Sequence, residues 1–361
     1  MAEFFSQDTR RMRHALVLAA RGLGNVAPNP AVGCVLVSEN GQIVGRGWTA
    51  RGGRPHAETI ALGQAGEAAR GATAYVTLEP CAHHGQTPPC ANALIAAGVV
   101  RIVVAVGDPD PRVNGRGIEM LRAAKIAVTT GVCESEAAEI NKGFFLRVRE
   151  NRPLVTLKIA QSRDGKTIAP PGESRWITGE AARRYGHLLR AKNDAILVGV
   201  NTVLADDPEL TCRLPGLEDR SPLRVVLDTH LRLPVQSKLA QTARRVPVLV
   251  FTAAEGGEAL RGLGVEIERI ESDGRPKLEI VLRALAARGI TRLLVEGGAT
   301  IHSAFLEAGL ADRLAVFTAP NDLGGKGRGV IPALAATAFR YARTGSRALG
   351  ADVLETYAAP A

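Results

Sequence analysis

The sequence predicts an α/β protein built as two successive α/β domains. Three observations carry this expectation. The chain has 361 residues, more than one hydrophobic core ordinarily serves. Short apolar runs rich in Val and Ile alternate with helical patterns, the signature of a largely parallel sheet covered by helices. The alternation stops at "NRP" (151–153) and then restarts. We therefore expect a first domain over 1–147, a linker over 148–152 and a second domain over 153–361.

The first domain opens with an amphipathic helix over 8–21. Asp8, Arg10, Arg11 and Arg13 precede its apolar run, and no small-residue cleavage site follows, so it does not read as a signal peptide. Strands "VGCVLVS" (32–38) and "QIVGRGW" (42–48) flank "ENG", a hairpin signal. A helix starts near Ala57 in "HAETIALGQAGEAA". Strand "AYVTLE" (74–79), helix "PPCANALIAAG" (88–98), strand "RIVVAVGD" (101–108), helix "GIEMLRAAK" (117–125) and strand "AVTTG" follow. A charged helix over 134–149 closes the domain, and Pro153 prevents its continuation.

The second domain begins with strand "LVTLKIAQS" (154–162) and helix "GEAARRYGHLLRAK" (179–192). Strands "AILVGVN" (195–201), "LRVVLDT" (223–229) and "VPVLVFT" (246–252) come next. Helix "KLEIVLRALAARG" (277–289), strand "RLLVEGG" (292–298), helix "IHSAFLEAG" (301–309) and strand "RLAVFTAP" (313–320) complete the pattern. The stretch "GVNTVLADDPELTCR" (199–213) reads as a strand followed by a polar loop.

Composition narrows the function. Hydrophobic residues make up 46% and charged residues 22%, ordinary for a soluble globular protein, and no run is long and apolar enough for a membrane span. Five cysteines (Cys34, Cys81, Cys90, Cys133, Cys212) are too scattered for a disulfide framework, so a reducing, cytoplasmic setting is expected. The net charge of +9 suits an anionic partner. With 4% aromatic residues and no basic tail, no nucleic-acid stacking platform is expected. "GLGNVA" (22–27) has the form of a dinucleotide fingerprint, but it follows a helix and runs into "PNP", so it is rejected.

Two stretches carry chemistry: "PHAETIAL" (55–62) and "TLEPCAHHGQTPPC" (77–90). His56, Cys81 and Cys90 offer the nitrogen and sulfur donors that Zn²⁺ favours, and three protein ligands leave one position open for water. Bound water then ionises near neutral pH. Glu58, two residues from His56, is placed to carry its proton to a leaving amine. This is the division of labour of zinc deaminases, although Pro80-Cys81 is followed by eight residues before Cys90, not two. His83 and His84 read as substrate or loop contacts, because a fourth protein ligand would close the site. Cys34 reads as core. In the second domain, the strand–helix turn at Gly297-Gly298 would let a phosphate approach helix N–H groups.

The order "PNPAVGCV … PHAE … TLEPCAHHGQTPPC … DP" resembles the riboflavin-biosynthesis deaminases. The order "LKIAQSRDGKT", "GESRWIT", "LLRAKNDAILVGVNTVLADDPELTCR", "RVVLDT", "VEGGAT" resembles the reductase half of the bifunctional proteins of the same family. The resemblance covers roughly residues 8–357. It implies a cytidine-deaminase-like α/β/α domain followed by a dihydrofolate-reductase-like α/β domain. It implies deamination of 2,5-diamino-6-(5-phosphoribosylamino)pyrimidin-4(3H)-one with one Zn²⁺, then NADPH-dependent reduction of the ribosyl chain to ribityl. Asn29 would face the first substrate with His83. Ala160, Trp176, Thr202, Asp206 and Thr229 would line the NADPH site, with the turn Gly297–Ala304, including Gly298, Ala299 and Thr300, at its phosphates. Ser174, Arg190, Leu210, Arg213 and Glu296 would face the second substrate. We assign Lys158 the polarisation or protonation of the sugar carbonyl or imine during hydride delivery, with Asp206 and Glu296 holding substrate hydroxyls.

The expected partners are phosphorylated pyrimidines and further copies of the chain in a dimer or tetramer, with neither nucleic acid nor membrane. Two other readings compete: a nucleoside or tRNA base deaminase with an accessory domain, and a nucleic-acid-binding protein with a structural zinc. The long cysteine spacing opposes the first, and Glu58 is unexplained by the second.

Overall fold

The structure is a computed structural model and describes residues 2–83, 88–168, 176–270, 276–327, 329, 331, 333–334 and 340–360. The chain divides into two compact units, Met1–Asn151 and Arg152–Ala361.

The first unit runs α1 (Ala2–Ala19), β1 (Gly33–Val37), β2 (Ile43–Trp48), α2 (Ala57–Ala65), β3 (Thr73–Val76), α3 (Cys90–Ala96), β4 (Arg101–Val104), α4 (Arg116–Ala123), β5 (Ala127–Thr130) and α5 (Glu134–Glu150). The sheet order is β2-β1-β3-β4-β5. β1 pairs antiparallel with β2 and β3, and β3, β4 and β5 are parallel. Side chains alternate across the sheet with the period of two that a strand imposes. Leu36, Val76 and Ile102 face one buried cluster with Ala61 of α2 and Leu94 of α3. Val35, Tyr75 and Val103 face the other, with Met12 and Leu16 of α1. The result is an α/β/α sandwich.

The expected hairpin and the parallel strands are present, and the charged helix runs through Glu150. The first helix starts at Ala2 rather than near residue 8. Gly47 of β2 decides how closely α2 can approach: a Cβ there would lie 2.0 Å from the Ala57 carbonyl oxygen. Glycine thus lets the first turn of α2 rest on the hairpin and fixes where His56 and Glu58 sit.

The second unit runs β6 (Leu154–Gln161), α6 (Glu180–Ala191), β7 (Ala195–Gly199), α7 (Val200–Asp206), β8 (Leu223–Leu227), α8 (Lys238–Gln241), β9 (Val248–Thr252), α9 (Glu258–Gly262), β10 (Glu266–Arg269), α10 (Leu278–Ala287), β11 (Arg292–Val295), α11 (Ala299–Glu307), β12 (Arg313–Thr318), β13 (Ala342–Leu349) and β14 (Asp352–Ala358). Its sheet order is β10-β9-β8-β7-β11-β6-β12-β14-β13, and only β14 runs antiparallel to its neighbours β12 and β13. Leu197, Val225 and Leu249 pack with Val281 and Leu285 of α10 and Phe305 of α11. Ile196, Val226 and Val250 pack on the opposite face with Leu239 of α8 and Leu260 of α9.

One segment departs from the expectation. Residues 200–206 form helix α7 rather than the end of a strand and a polar loop. Val200 and Val203 are its buried residues, a helical spacing hidden because the helix follows β7 without a break. Helices α8 and α9 and strands β10, β13 and β14 were not expected either; β13, "ARTGSRAL", is largely exposed and polar, so it lacks the apolar alternation that marks a strand.

Candidate active sites

In the first unit the metal-type donors converge. His56 occupies the N-cap of α2 in an extended conformation, and Glu58 sits in that helix's first turn. Cys81 follows the β3 strand in a loop, and Cys90 is the first residue of α3. The His56, Cys81 and Cys90 ligand atoms all lie within 4.8 Å of one another. His56 Nδ1 is 3.3 Å from Cys90 Sγ and 3.7 Å from Cys81 Sγ. Zinc–sulfur and zinc–nitrogen bonds of about 2.3 and 2.0 Å at a tetrahedral angle require about 3.6 Å between such atoms. Three donors of the right type at nearly the right separation fit one zinc ion.

The electrostatics set the two thiols apart. The Cys90 thiol and backbone N–H and the His56 ring hydrogen-bond Cys81, holding its thiol down at about 4 although burial opposes this. Cys81 is therefore the thiolate of the pair, and Cys90 is pushed up by sharing the proton. Glu58 is 3% exposed, and burial, reinforced by the Cys81 charge, pushes its carboxyl up to about 7. A carboxyl balanced near neutrality can both take and give a proton. Beneath it, the buried Cys34 thiol is held neutral by burial and by the nearby Glu58 charge, as befits a core residue.

A cavity of about 340 Å³ opens beside these groups, lined by Asn29, His56, Glu58, Cys81, His83 and Asp108 among others. The Asn29 side chain donates a 2.8 Å hydrogen bond to the Gly53 carbonyl. His83 also lines the cavity, and its Nδ1 is buried with no hydrogen-bond partner among the described residues. His84 lies outside the described residues.

Three buried polar residues of this site escaped the sequence reading. Glu79 accepts backbone N–H bonds from Asp108, Gly115, Gly117 and Ile118 at 3.0–3.4 Å, tying the start of α4 to the cysteine loop. Asn141 of α5 bonds both the N–H and the carbonyl of Ala31, bracing the segment after Asn29. Asp108 faces the cavity, and burial pushes its carboxyl up to about 6. Only the position of Glu79 inside "TLEPC" hinted at a role.

In the second unit Ala160, Thr202, Thr229, Glu296 and Gly298 lie at or just after the carboxyl ends of the parallel strands β6, β7, β8 and β11, where open α/β sheets bind ligands. Val295 pairs with Leu157 in register, so the next residues, Glu296 and Lys158, face each other across β11 and β6. Lys158 Nζ lies 3.9 Å from Glu296 Oε2. Arg190 of α6 grips the same carboxylate with two hydrogen bonds of 2.8 Å and also donates to the Thr211 carbonyl at 3.0 Å. Burial would raise the Glu296 carboxyl, but Arg190 and Lys158 outweigh it and hold it at about 2.

Leu210 is buried and left-handed at φ 55°. Arg213 is exposed and paired with Glu209 at 2.8 Å. Ala160 and Thr202 are half-buried, on β6 and α7. Asp206 is exposed in the last turn of α7, and the Lys158–Glu296–Arg190 cluster forms without it. Thr229 follows β8, and its carbonyl accepts the Thr252 hydroxyl. Trp176 is exposed, with the Arg183 guanidinium 5.3 Å over its ring. Ser174 lies outside the described residues.

Gly298 is the N-cap of α11 at φ −75°, a conformation open to any residue, and a Cβ there would meet nothing within 4 Å. Neither backbone nor packing demands glycine there, and the space at that position is open. Ala299 and Thr300 form the first turn behind it, half-buried and exposed respectively.

Comparison with known proteins shows the family of both units. The family model "RibD C-terminal domain" matches residues 153–354, and "Cytidine and deoxycytidylate deaminase zinc-binding region" matches 5–106. The riboflavin biosynthesis protein RibD of Aquifex aeolicus is 46% identical over 319 residues, 88% of each chain. RibD of Escherichia coli is 44% identical over 337 residues, 90% of each. Among solved structures, Acinetobacter baumannii RibD (form 1) superposes with a TM-score of 0.89 at 40% identity, covering 99% of this chain and 100% of that one. A Thermotoga maritima diaminohydroxyphosphoribosylaminopyrimidine deaminase/5-amino-6-(5-phosphoribosylamino)uracil reductase gives 0.87 at 35%, with coverage of 99% and 100%. The convergent His–Cys–Cys–Glu cluster, the reductase-type sheet and these relatives together place the chain in the RibD family, a zinc-binding deaminase domain and a reductase domain of riboflavin biosynthesis in one polypeptide.

Proposed function

We propose that the first unit deaminates 2,5-diamino-6-(5-phosphoribosylamino)pyrimidin-4(3H)-one and that the second reduces the ribosyl side chain of 5-amino-6-(5-phosphoribosylamino)uracil to ribityl with NADPH. The observation that carries the reading is a buried carboxyl near neutrality, Glu58, beside three zinc-type donors in a cavity large enough for a pyrimidine. Zinc, when bound by His56, Cys81 and Cys90, supplies the Lewis acid that makes water nucleophilic at neutral pH. Glu58 takes a proton from the water and passes it to the amino nitrogen, which leaves as ammonia while the ring carbon keeps the oxygen. Asn29 and His83 orient the pyrimidine at the cavity wall. Glu79 and Asn141 brace the two loops that carry these groups.

In the second unit Lys158 supplies the proton that balances the reduction at the sugar carbon. NADPH supplies the hydride when bound. The Glu296 carboxylate, kept ionised by Arg190, holds Lys158 in place and accepts from a sugar hydroxyl. Asp206, in α7, accepts from a ribose hydroxyl at the cofactor side. Ala160, Trp176, Thr202 and Thr229 line the cofactor, its phosphates lie at Gly298, Ala299 and Thr300, and Arg213 meets the substrate phosphate. Support comes from the gathering of these residues at the carboxyl edge of one parallel sheet and from the open space at Gly298. The enzyme works as a homo-oligomer in the cytoplasm on small phosphorylated pyrimidines, independently of nucleic acid. No helix among the described residues is long and apolar enough to cross a membrane.

Two variants separate the activities. E58Q is expected to lose ammonia release while still oxidising NADPH with the aminouracil phosphate, and K158M to show the reverse. Loss of both activities in either variant, with the fold intact, would overturn the assignment.

A further inference from the structure

Arg224 on β8 has no solvent exposure and no carboxylate partner among the described residues. Its guanidinium instead donates to oxygens from separate chain segments. Nη1 reaches the Glu209 carbonyl at 3.2 Å and Thr242 Oγ1 at 2.8 Å. Nη2 reaches the Leu239 carbonyl at 3.5 Å, the Thr242 carbonyl at 3.1 Å and the Val246 carbonyl. Its Nε is buried without a partner. Taking a guanidinium out of water is costly, and the bonds to these oxygens offset that cost.

One of these bonds reaches the loop from Glu209 to Arg213, and the others hold the segment from Leu239 to Val246 beside it. Arg224 holds the Glu209 carbonyl, and two residues later Arg190 holds the Thr211 carbonyl at 3.0 Å. Between the two anchors Leu210 takes its left-handed conformation at φ 55°. The Glu209 side chain in turn holds the Arg213 guanidinium at 2.8 Å. Arg224 thus acts on the Arg213 side chain through Glu209, while the Arg213 N–H donates separately to His187 Nδ1 at 3.3 Å.

We infer that Arg224 is a positioning residue for recognition of the substrate phosphate in the reductase unit, setting the Glu209–Arg213 loop so that Arg213 is presented to the phosphate before the substrate arrives. The inference rests on the proposed role of Arg213. An arginine fork gains most from a phosphate when its orientation is already fixed.

Steady-state reduction of the aminouracil ribosylamino phosphate by the full chain tests this with R224K, R213A and the double variant. NADPH affinity, measured by fluorescence titration, checks that the reductase unit is folded. R224K is expected to raise KM for the phosphorylated substrate about tenfold with kcat changed less than about threefold, and to leave NADPH affinity unchanged. The double variant is expected to be no worse than R213A, because both remove one interaction. The dephosphorylated substrate is expected to show no R224K penalty.

The inference is overturned if the R224K and R213A penalties multiply, if R224K leaves KM unchanged, or if the dephosphorylated substrate suffers equally. If R213A itself leaves KM unchanged, the underlying reading of Arg213 fails instead. T242V removes one acceptor of Arg224 in a milder way and is expected to give the same pattern, smaller. It serves where R224K does not fold, and an unchanged KM in T242V then overturns the inference.

Discussion

Arg190 and Glu296, 106 residues apart, meet through two hydrogen bonds of 2.8 Å, with their side chains 15% and 9% exposed. Removing one partner of such a pair strands the other as an uncompensated charge, which costs more than the pair contributes. E296Q is therefore expected to lower the stability of the reductase unit by about 3 kcal/mol, read as a lowered midpoint in urea. A variant as stable as the parent would contradict the pairing.

The same pair sets an acid limit. Glu296 titrates at about 2 in the fold against 4.5 as an ordinary carboxyl. Below pH 4.5 the unfolded chain binds a proton that the fold refuses, so stability is fully present above 4.5 and is lost as pH falls towards 2. The loss amounts to roughly 3 kcal/mol over that window. Unfolding curves between pH 5 and 3 should show it in the parent, with a shallower slope in E296Q.

His302 acts over a higher window. It is 4% exposed in α11, its Nε2 is 3.5 Å from the Val295 carbonyl, and burial pushes it down to about 4. Its depressed value means stability is present above the ordinary value of 6.5 and is lost as pH falls from 6.5 towards 4. Between pH 7 and 5 the parent should lose about 2 kcal/mol more than H302Q. Equal slopes would show that His302 protonates without cost.

How much of this was legible in the sequence follows the distance over which each signal acts. His56 and Glu58 share one helix start, and Cys81 and Cys90 flank one loop, so residue type and spacing exposed them. What Glu79 and Asn141 hold was not legible, because their partners lie 29–39 and 110 residues away. A buried Glu or Asn looks like any other until the fold brings backbone groups to it. Likewise α7 was merged into the preceding strand because its apolar residues continue the strand's apolar run. In the second unit the assignments to Ala160, Trp176, Thr202 and Thr229 came from resemblance, since nothing in their residue types announces a cofactor.

Backbone contact makes Gly117 a sensitive point. A Cβ there would sit 2.0 Å from the Pro80 carbonyl oxygen, next to Cys81. G117A must displace either α4 or the cysteine loop, so a destabilisation of about 2 kcal/mol is expected. Ammonia release should fall with it, while NADPH oxidation on the deaminated substrate should not. A G117A enzyme with normal melting and normal ammonia release would show the contact to be soft.

Zinc content separates ligands from the proton carrier. C81S and C90S should each lose bound zinc, measured by elemental analysis, together with deamination. E58Q should keep one zinc per chain and still lose deamination by about 10²- to 10⁴-fold. Zinc loss in E58Q would make Glu58 a ligand and remove the proposed proton carrier.

The central claim is tested most directly with the zinc-replete chain and 2,5-diamino-6-(5-phosphoribosylamino)pyrimidin-4(3H)-one, with and without NADPH, following ammonia and NADPH absorbance together. Ammonia in both reactions, with one NADPH oxidised per ammonia in the second, is the predicted result. NADPH oxidation without ammonia would contradict the proposed order. No ammonia from either reaction would contradict the assignment of His56, Glu58, Cys81 and Cys90 as a deaminase site.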